Sequence, residues 1–248
     1  LEYRDRSSPR HEVLNRVYTS TDYPADQRIF LHNEGTYWLA WPLKLYFCCA
    51  HAPAEGGATP VADTRRIYRR LDPALRERFR EKKVLYVRNY NDGVGLTWQN
   101  VFQTEDPAAV NEYCRRNRIE VEWKAGGRLK TRTVRQAVAT HPRTGEDVWF
   151  NHATFFHVTT LEPSVREALL SSFAEEDLPT NTYYGDGTPI EPSALDELRG
   201  LYLEEKITFP WQEGDVMLLD NMSVAHGRES FAGFRQVLAG MAEPFSPV

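Results

Sequence analysis

Cysteine is scarce in this chain: three among 248 residues, two of them adjacent at Cys48 and Cys49. That count excludes a disulfide framework, so a reducing, cytoplasmic compartment is expected. An excess of basic charge is also lacking. Thirty Lys and Arg against thirty-five Asp and Glu leave a net charge of −5. The basic residues are scattered, which argues against nucleic acid as a partner. No apolar run approaches the ~20 residues of a membrane span. No Gly-rich phosphate loop follows a strand, and the pairs Gly56-Gly57 and Gly126-Gly127 read as turns. Internal repeats and low-complexity linkers are absent too, which removes solenoids and disordered tethers.

What is present is 41% hydrophobic and 12% aromatic residues, enough for a sizeable core. Residues 1–248 are expected to form one domain. The chain begins at Leu1, with a charged stretch from Glu2 to Arg10, and is read as lacking an N-terminal segment. Helix starts are signalled at Asp72-Pro73, Asp106-Pro107 and Glu162-Pro163, where a polar residue precedes a proline suited to the first helical position. Leu75/Phe79, Val110/Cys114 and Val165/Leu169/Phe173 then repeat at helical spacing, and a further helix is expected over Ser193–Glu204. Strands are expected at Leu43–Ala50, Val84–Tyr90, Ile119–Trp123, Arg132–Ala139, Val148–Asn151, Ile207–Phe209, Val216–Leu219 and Val237–Met241. Many short strands with a few outer helices predict a mainly β fold with peripheral helices, a barrel or jelly roll.

Of the seven histidines, His32 has the partner best suited to chelation. The segment Ile29-Phe30-Leu31-His32-Asn33-Glu34 alternates like a strand running into a turn, so His32 and Glu34, two apart, share a face. His226 follows a second buried-strand pattern, Val216–Asp220. Two imidazoles and one carboxylate carried on strands suit the facial set that holds non-haem Fe(II) and leaves positions open. His11 and His51 have no acidic or histidine partner at useful spacing. His141 opens a tight turn, and His152 and His157, five apart, make a poor chelating pair.

The wider pattern then resembles a family. In order come His32-x-Glu34, Gly56-Gly57-x-Thr59, His141-Pro142-x-Thr144-Gly145 leading to Val148–Asn151, Asp220-Asn221, His226-Gly227-Arg228, and Arg235 nine residues after His226. This series resembles the taurine dioxygenase family of Fe(II)/2-oxoglutarate oxygenases, nearest its syringomycin-type amino-acid hydroxylase branch. It covers nearly the whole chain, and the family normally has several dozen residues upstream. The resemblance implies a double-stranded β-helix (jelly roll, cupin-like). It assigns His32, Glu34 and His226 to iron, and Arg235 with Thr59 to the distal carboxylate of 2-oxoglutarate. A guanidinium and a hydroxyl suit that carboxylate.

Glu34 decides between two outcomes, because halogenating relatives replace this carboxylate with a small residue. Its presence favours hydroxylation, desaturation or ring closure. Taurine is disfavoured as substrate, since Leu238-Ala239-Gly240-Met241 lacks the cation that holds a sulfonate in the best-known members. An amino acid or a derivative of one, free or presented on a carrier protein, is expected instead, in natural-product biosynthesis. Asn151, His152 and Arg228 are candidates for substrate contact. Asn151 and His152 have an equal alternative as a strand-end turn, and Arg228 as a partner of Glu229 or another surface acid. Two competing classes are a mononuclear zinc hydrolase and a non-catalytic small-molecule-binding barrel. Succinate release with oxygen uptake separates the first, and metal content the second. The oligomeric state is left open.

Overall fold

The strand Trp41–His51 sets the frame, because its side chains alternate: Leu45, Phe47 and Cys49 are buried, while Tyr46 between them is 42% exposed. The computed structural model describes residues 5, 7, 10–21, 23–90 and 94–247. Trp41–His51 lies inside a five-stranded sheet ordered Glu12–Leu14, Val17–Thr19, Gln236–Phe245, Trp41–His51, Val216–Asp220. A three-stranded sheet, Ile29–His32, Val224–Arg228 and Val61–Asp63, supplies Val61 and Val224 to the apolar cluster on its inner face. Burial of one face and exposure of Val216 and Leu218 on the other is the pattern of an antiparallel layer with one wet side.

A four-stranded sheet follows, ordered Thr180–Tyr184, Val84–Tyr90, Leu129–Arg135, Glu120–Trp123. Two short strand pairs, Val138–Thr140 with Asp147–Trp149 and Phe231–Ala232 with Glu55–Gly56, complete the set, and every pairing is antiparallel. Six α-helices lie among the described residues: Thr64–Arg70, Pro73–Lys82, Trp98–Phe102, Pro107–Arg116, Pro163–Ser172 and Pro192–Glu204. The fold is therefore mainly β with outer helices, as expected. None of these helices is long and apolar enough to cross a membrane.

The helix starts follow the predicted chemistry in part. Asp72 accepts from the N–H groups of Ala74 and Leu75, and Asp106 from Ala108, each ahead of its proline. Glu162 makes no such cap, and Pro163–Ser172 buries none of its residues; Val165, expected on its apolar stripe, is 42% exposed. Pro192–Glu204 buries Leu195, Leu198 and Tyr202 as predicted. Two strand expectations are corrected. Arg132–Ala139 is split between Leu129–Arg135 and Val138–Thr140, and Ile207–Phe209 shrinks to a single bridge from Ile207 to Val61.

Candidate metal and co-substrate site

Register brings the two histidines together. His32, the last residue of Ile29–His32, is the direct cross-strand partner of His226 on Val224–Arg228, and their ring centroids lie 4.6 Å apart. Glu34 sits just past the strand, in the turn, and two asparagines hold it there. Glu34 donates its backbone N–H to Asn221 Oδ1 at 2.8 Å, and Asn221 Nδ2 donates to the carbonyls of Glu34 and Pro42 at 2.9 and 2.8 Å. Asn33 Nδ2 donates in turn to the Asn221 carbonyl at 2.6 Å. Donor atoms of His32, Glu34 and His226 all fall within 4.8 Å of one another, and all three residues are buried.

The protonation states suit a cation. Burial lowers the His32 pKa below its ordinary 6.5, against the pull of Glu34, and burial with the nearby His32 takes His226 well below that value. Burial would raise Glu34, but Arg10 and His32 hold it below the usual carboxylate range. Two neutral imidazoles and an ionised carboxylate result, the states that metal binding requires. His32 Nδ1 lies 2.8 Å from the carbonyl of Phe30, which makes that nitrogen the donor and leaves Nε2 with its lone pair. Arg10 Nη2 donates to Glu34 Oε2 at 2.8 Å, with the two side chains 6% and 4% exposed.

Two cavities meet at these residues. The larger, about 460 Å³, is walled by His32, Phe155, Phe156, Arg10 and Arg228 among others. Phe155 stacks on the His32 ring at 4.2 Å and 14°. A narrower cleft runs from His32 and His226 to Thr59 and Arg235. Arg235 donates from Nε to the Gly57 carbonyl at 2.9 Å and from Nη2 to Thr59 Oγ1 at 3.4 Å, and it reaches Ser20 Oγ at 3.2 Å. No acid is among these partners, and burial together with Arg228 pushes its pKa down to about 10, so it stays charged at neutral pH. Phe234 before it is 69% exposed, while Val237 two residues on is buried.

The remaining candidates are drawn into the fold's own hydrogen bonds. Asn151 donates to the Ala137 carbonyl at 2.7 Å and accepts from the Ala153 N–H at 2.8 Å, the strand-end arrangement. His152 Nε2 lies 2.5 Å from the Asn33 carbonyl, with its ring behind His32. Neither lines the two cavities. Arg228 lines both, yet its guanidinium donates to the carbonyls of Tyr23, Pro24 and Gln27, while Glu229 pairs with Lys206 at 3.0 Å. His141 is structural, contacting Asp220 and accepting from the N–H groups of Arg143 and Thr144. His51 has a partner after all, Glu213 at 3.1 Å, on the surface. Sequence reasoning missed Arg10 and the Trp211 indole, which donates to Thr59 Oγ1 at 2.9 Å.

Comparison with known proteins decides the family. Residues 1–242 match the taurine catabolism dioxygenase TauD, TfdA family. The chain belongs to this family. It is therefore a 2-oxoglutarate-dependent dioxygenase, and Fe(II) and 2-oxoglutarate are its cofactors. It is 39% identical over 247 residues to the dapdiamide synthesis protein DdaC of Enterobacter agglomerans, covering 100% of this chain and 75% of that protein. It is 29% identical over 255 residues to a clavaminate synthase-like protein of Arabidopsis thaliana, covering 98% and 73%. Among solved structures, an asparagine oxygenase in complex with Fe(II), a hydroxyasparagine and succinate superposes with a TM-score of 0.52 at 14% identity. That match covers 92% of this chain and 56% of the other, and it speaks to the fold of this TauD-family chain.

Proposed function

We propose that this chain, read as a single oxygenase domain over residues 1–248, hydroxylates an amino acid or a derivative of one, free or carrier-tethered. Desaturation and ring closure belong to the same reading. The observation that carries it is the convergence of His32, Glu34 and His226, with donor atoms within 4.8 Å of one another, where His32 lines both cavities and His226, Thr59 and Arg235 line the narrower one. The antiparallel five- and three-stranded layers that bring these residues together support the two sheets of a double-stranded β-helix.

In this reading His32, Glu34 and His226 hold the iron, which with 2-oxoglutarate supplies the oxidising chemistry. Arg235 takes the distal carboxylate of the co-substrate, because a half-buried guanidinium with no acid among its hydrogen-bond partners suits an anion. Thr59 Oγ1 already accepts from Trp211 and Arg235, which leaves its own O–H to donate to that carboxylate. The larger cavity, with Phe155 and Phe156 on its wall, suits a mostly apolar side chain brought beside the iron.

The substrate class rests on two supports. One is the similarity to a protein of dapdiamide synthesis. The other is the stretch 238–241, which has no cation for a sulfonate. The test is succinate formation triggered by candidate substrates: free amino acids, carrier-bound aminoacyl groups, alkylsulfonates and simple organic acids. Coupled turnover with an amino-acid derivative is expected. Strong turnover with taurine and none with any amino-acid derivative would show the reading wrong.

A further inference from the structure

Glu34 lines neither of the two cavities, whereas Arg10 lines both. The guanidinium of Arg10 donates to one carboxylate oxygen, Oε2, at 2.8 Å, and both side chains are almost wholly buried. Such a charge-assisted bond between desolvated groups is short and strong. A carboxylate can offer a metal one oxygen or both. With both oxygens on the metal, Glu34 and the two histidines would fill four positions; with one they fill three.

We propose that Arg10 is a positioning residue for the metal carboxylate: by holding Oε2 it limits Glu34 to one ligating oxygen, Oε1, and so keeps room for 2-oxoglutarate. This rests on the iron and 2-oxoglutarate reading above. Arg10 also has a cost. A fixed cation next to the seat of a dication repels it, so the same contact that keeps positions open weakens the hold on the metal.

The two effects give a signature with opposite signs. Outer partners of metal ligands are commonly acceptors that make the ligand more basic, and their loss weakens metal binding. Arg10 is a donor and a cation, so its loss strengthens metal binding while letting the second carboxylate oxygen compete with 2-oxoglutarate. A residue that only supports the fold would move both affinities the same way, or neither.

Anaerobic titration of the full chain with Fe(II), and then with 2-oxoglutarate, reads both affinities without turnover. The second is followed by the visible absorption that appears when the keto acid chelates Fe(II). For Arg10→Gln we expect Fe(II) to bind about tenfold more tightly and 2-oxoglutarate about tenfold more weakly. Arg10→Lys, which keeps a cation and a donor, should bring both constants back toward wild type. Arg10→Met carries the same expectation as the glutamine variant if that variant does not fold. Joint weakening, no change, or a change in only one constant overturns the proposal. A wild-type chain that takes up Fe(II) and 2-oxoglutarate normally, with Arg10→Gln unchanged, sinks this inference alone. A wild-type chain that binds neither sinks the cofactor reading and this one with it.

Discussion

Arg235 has Gly57, Ser20 and Thr59 within hydrogen-bond reach and no acid among them. A guanidinium held this way is preorganised for a carboxylate, and removing it should strike 2-oxoglutarate binding first. We predict that Arg235→Ala raises the apparent 2-oxoglutarate constant by an amount worth about 2–4 kcal/mol, leaving Fe(II) affinity nearly unchanged. An unchanged constant in a 2-oxoglutarate titration would place the carboxylate elsewhere. His32, Glu34 and Arg235 were legible in the chain because short spacings and a fixed order of motifs single them out. Arg10 was not, because its partner Glu34 is 24 positions away and a guanidinium–carboxylate contact has no sequence period. The pairing of Arg228 with backbone carbonyls was equally hidden, since every segment offers carbonyls and only the folded turn at Tyr23–Gln27 aims three of them at one side chain.

At the scale of elements, the site depends on how the turn after Ile29–His32 is fastened to the turn after Val216–Asp220. Asn221 does this with three side-chain hydrogen bonds, to the N–H and carbonyl of Glu34 and to the carbonyl of Pro42. Asn221→Ala should cost about 3 kcal/mol of stability, at about 1 kcal/mol per bond, and should loosen Fe(II) binding because Glu34 loses its fixed place. Chemical denaturation and an Fe(II) titration of the same variant check both parts; intact stability with weakened metal would contradict the shared cause. Asp220 next to it is held by Lys44 at 2.9 Å and by His141. Burial would raise its pKa, but the contacts of Lys44, the Ser223 N–H and His141 lower it to about 2. A depressed folded-state value means that the stabilisation is complete above the ordinary 3.8 and is lost as pH falls through about 2. Asp220→Asn should therefore melt below wild type at neutral pH, with the gap closing toward pH 2. A gap that persists at that pH would assign the loss to something other than the charge. Trp41–His51 was readable from its aromatic, largely apolar run Leu43–Ala50; Ile207–Phe209 was not, because its apolar letters pair only once, at Ile207 with Val61.

For the molecule as a whole, two apolar centres matter most: one between the five- and three-stranded sheets, and one where Ile67, Phe79, Leu198 and Tyr202 of the helices meet Tyr86 and Tyr184. Leu198 is fully buried in the second, and Leu198→Ala should lower unfolding stability by about 2–5 kcal/mol through lost contact and a residual cavity. A loss below the Leu→Ala range would mean that neighbouring helices close over the gap. Sequence periodicity exposed Phe79, Leu198 and Tyr202 of the second centre, but not the helix Thr64–Arg70 that carries Ile67 or the strand Thr180–Tyr184 that carries Tyr184. It did not reveal that Pro163–Ser172 rests on the surface, because a helix with an apolar stripe looks the same whether or not a partner covers it. The most direct test of the central claim is anaerobic Fe(II) titration of the wild-type chain beside His226→Ala. Wild type is expected to bind one Fe(II) tightly per chain and the variant to lose tight binding, since the two remaining ligands hold iron poorly. Equal, stoichiometric Fe(II) uptake by His226→Ala would contradict that claim.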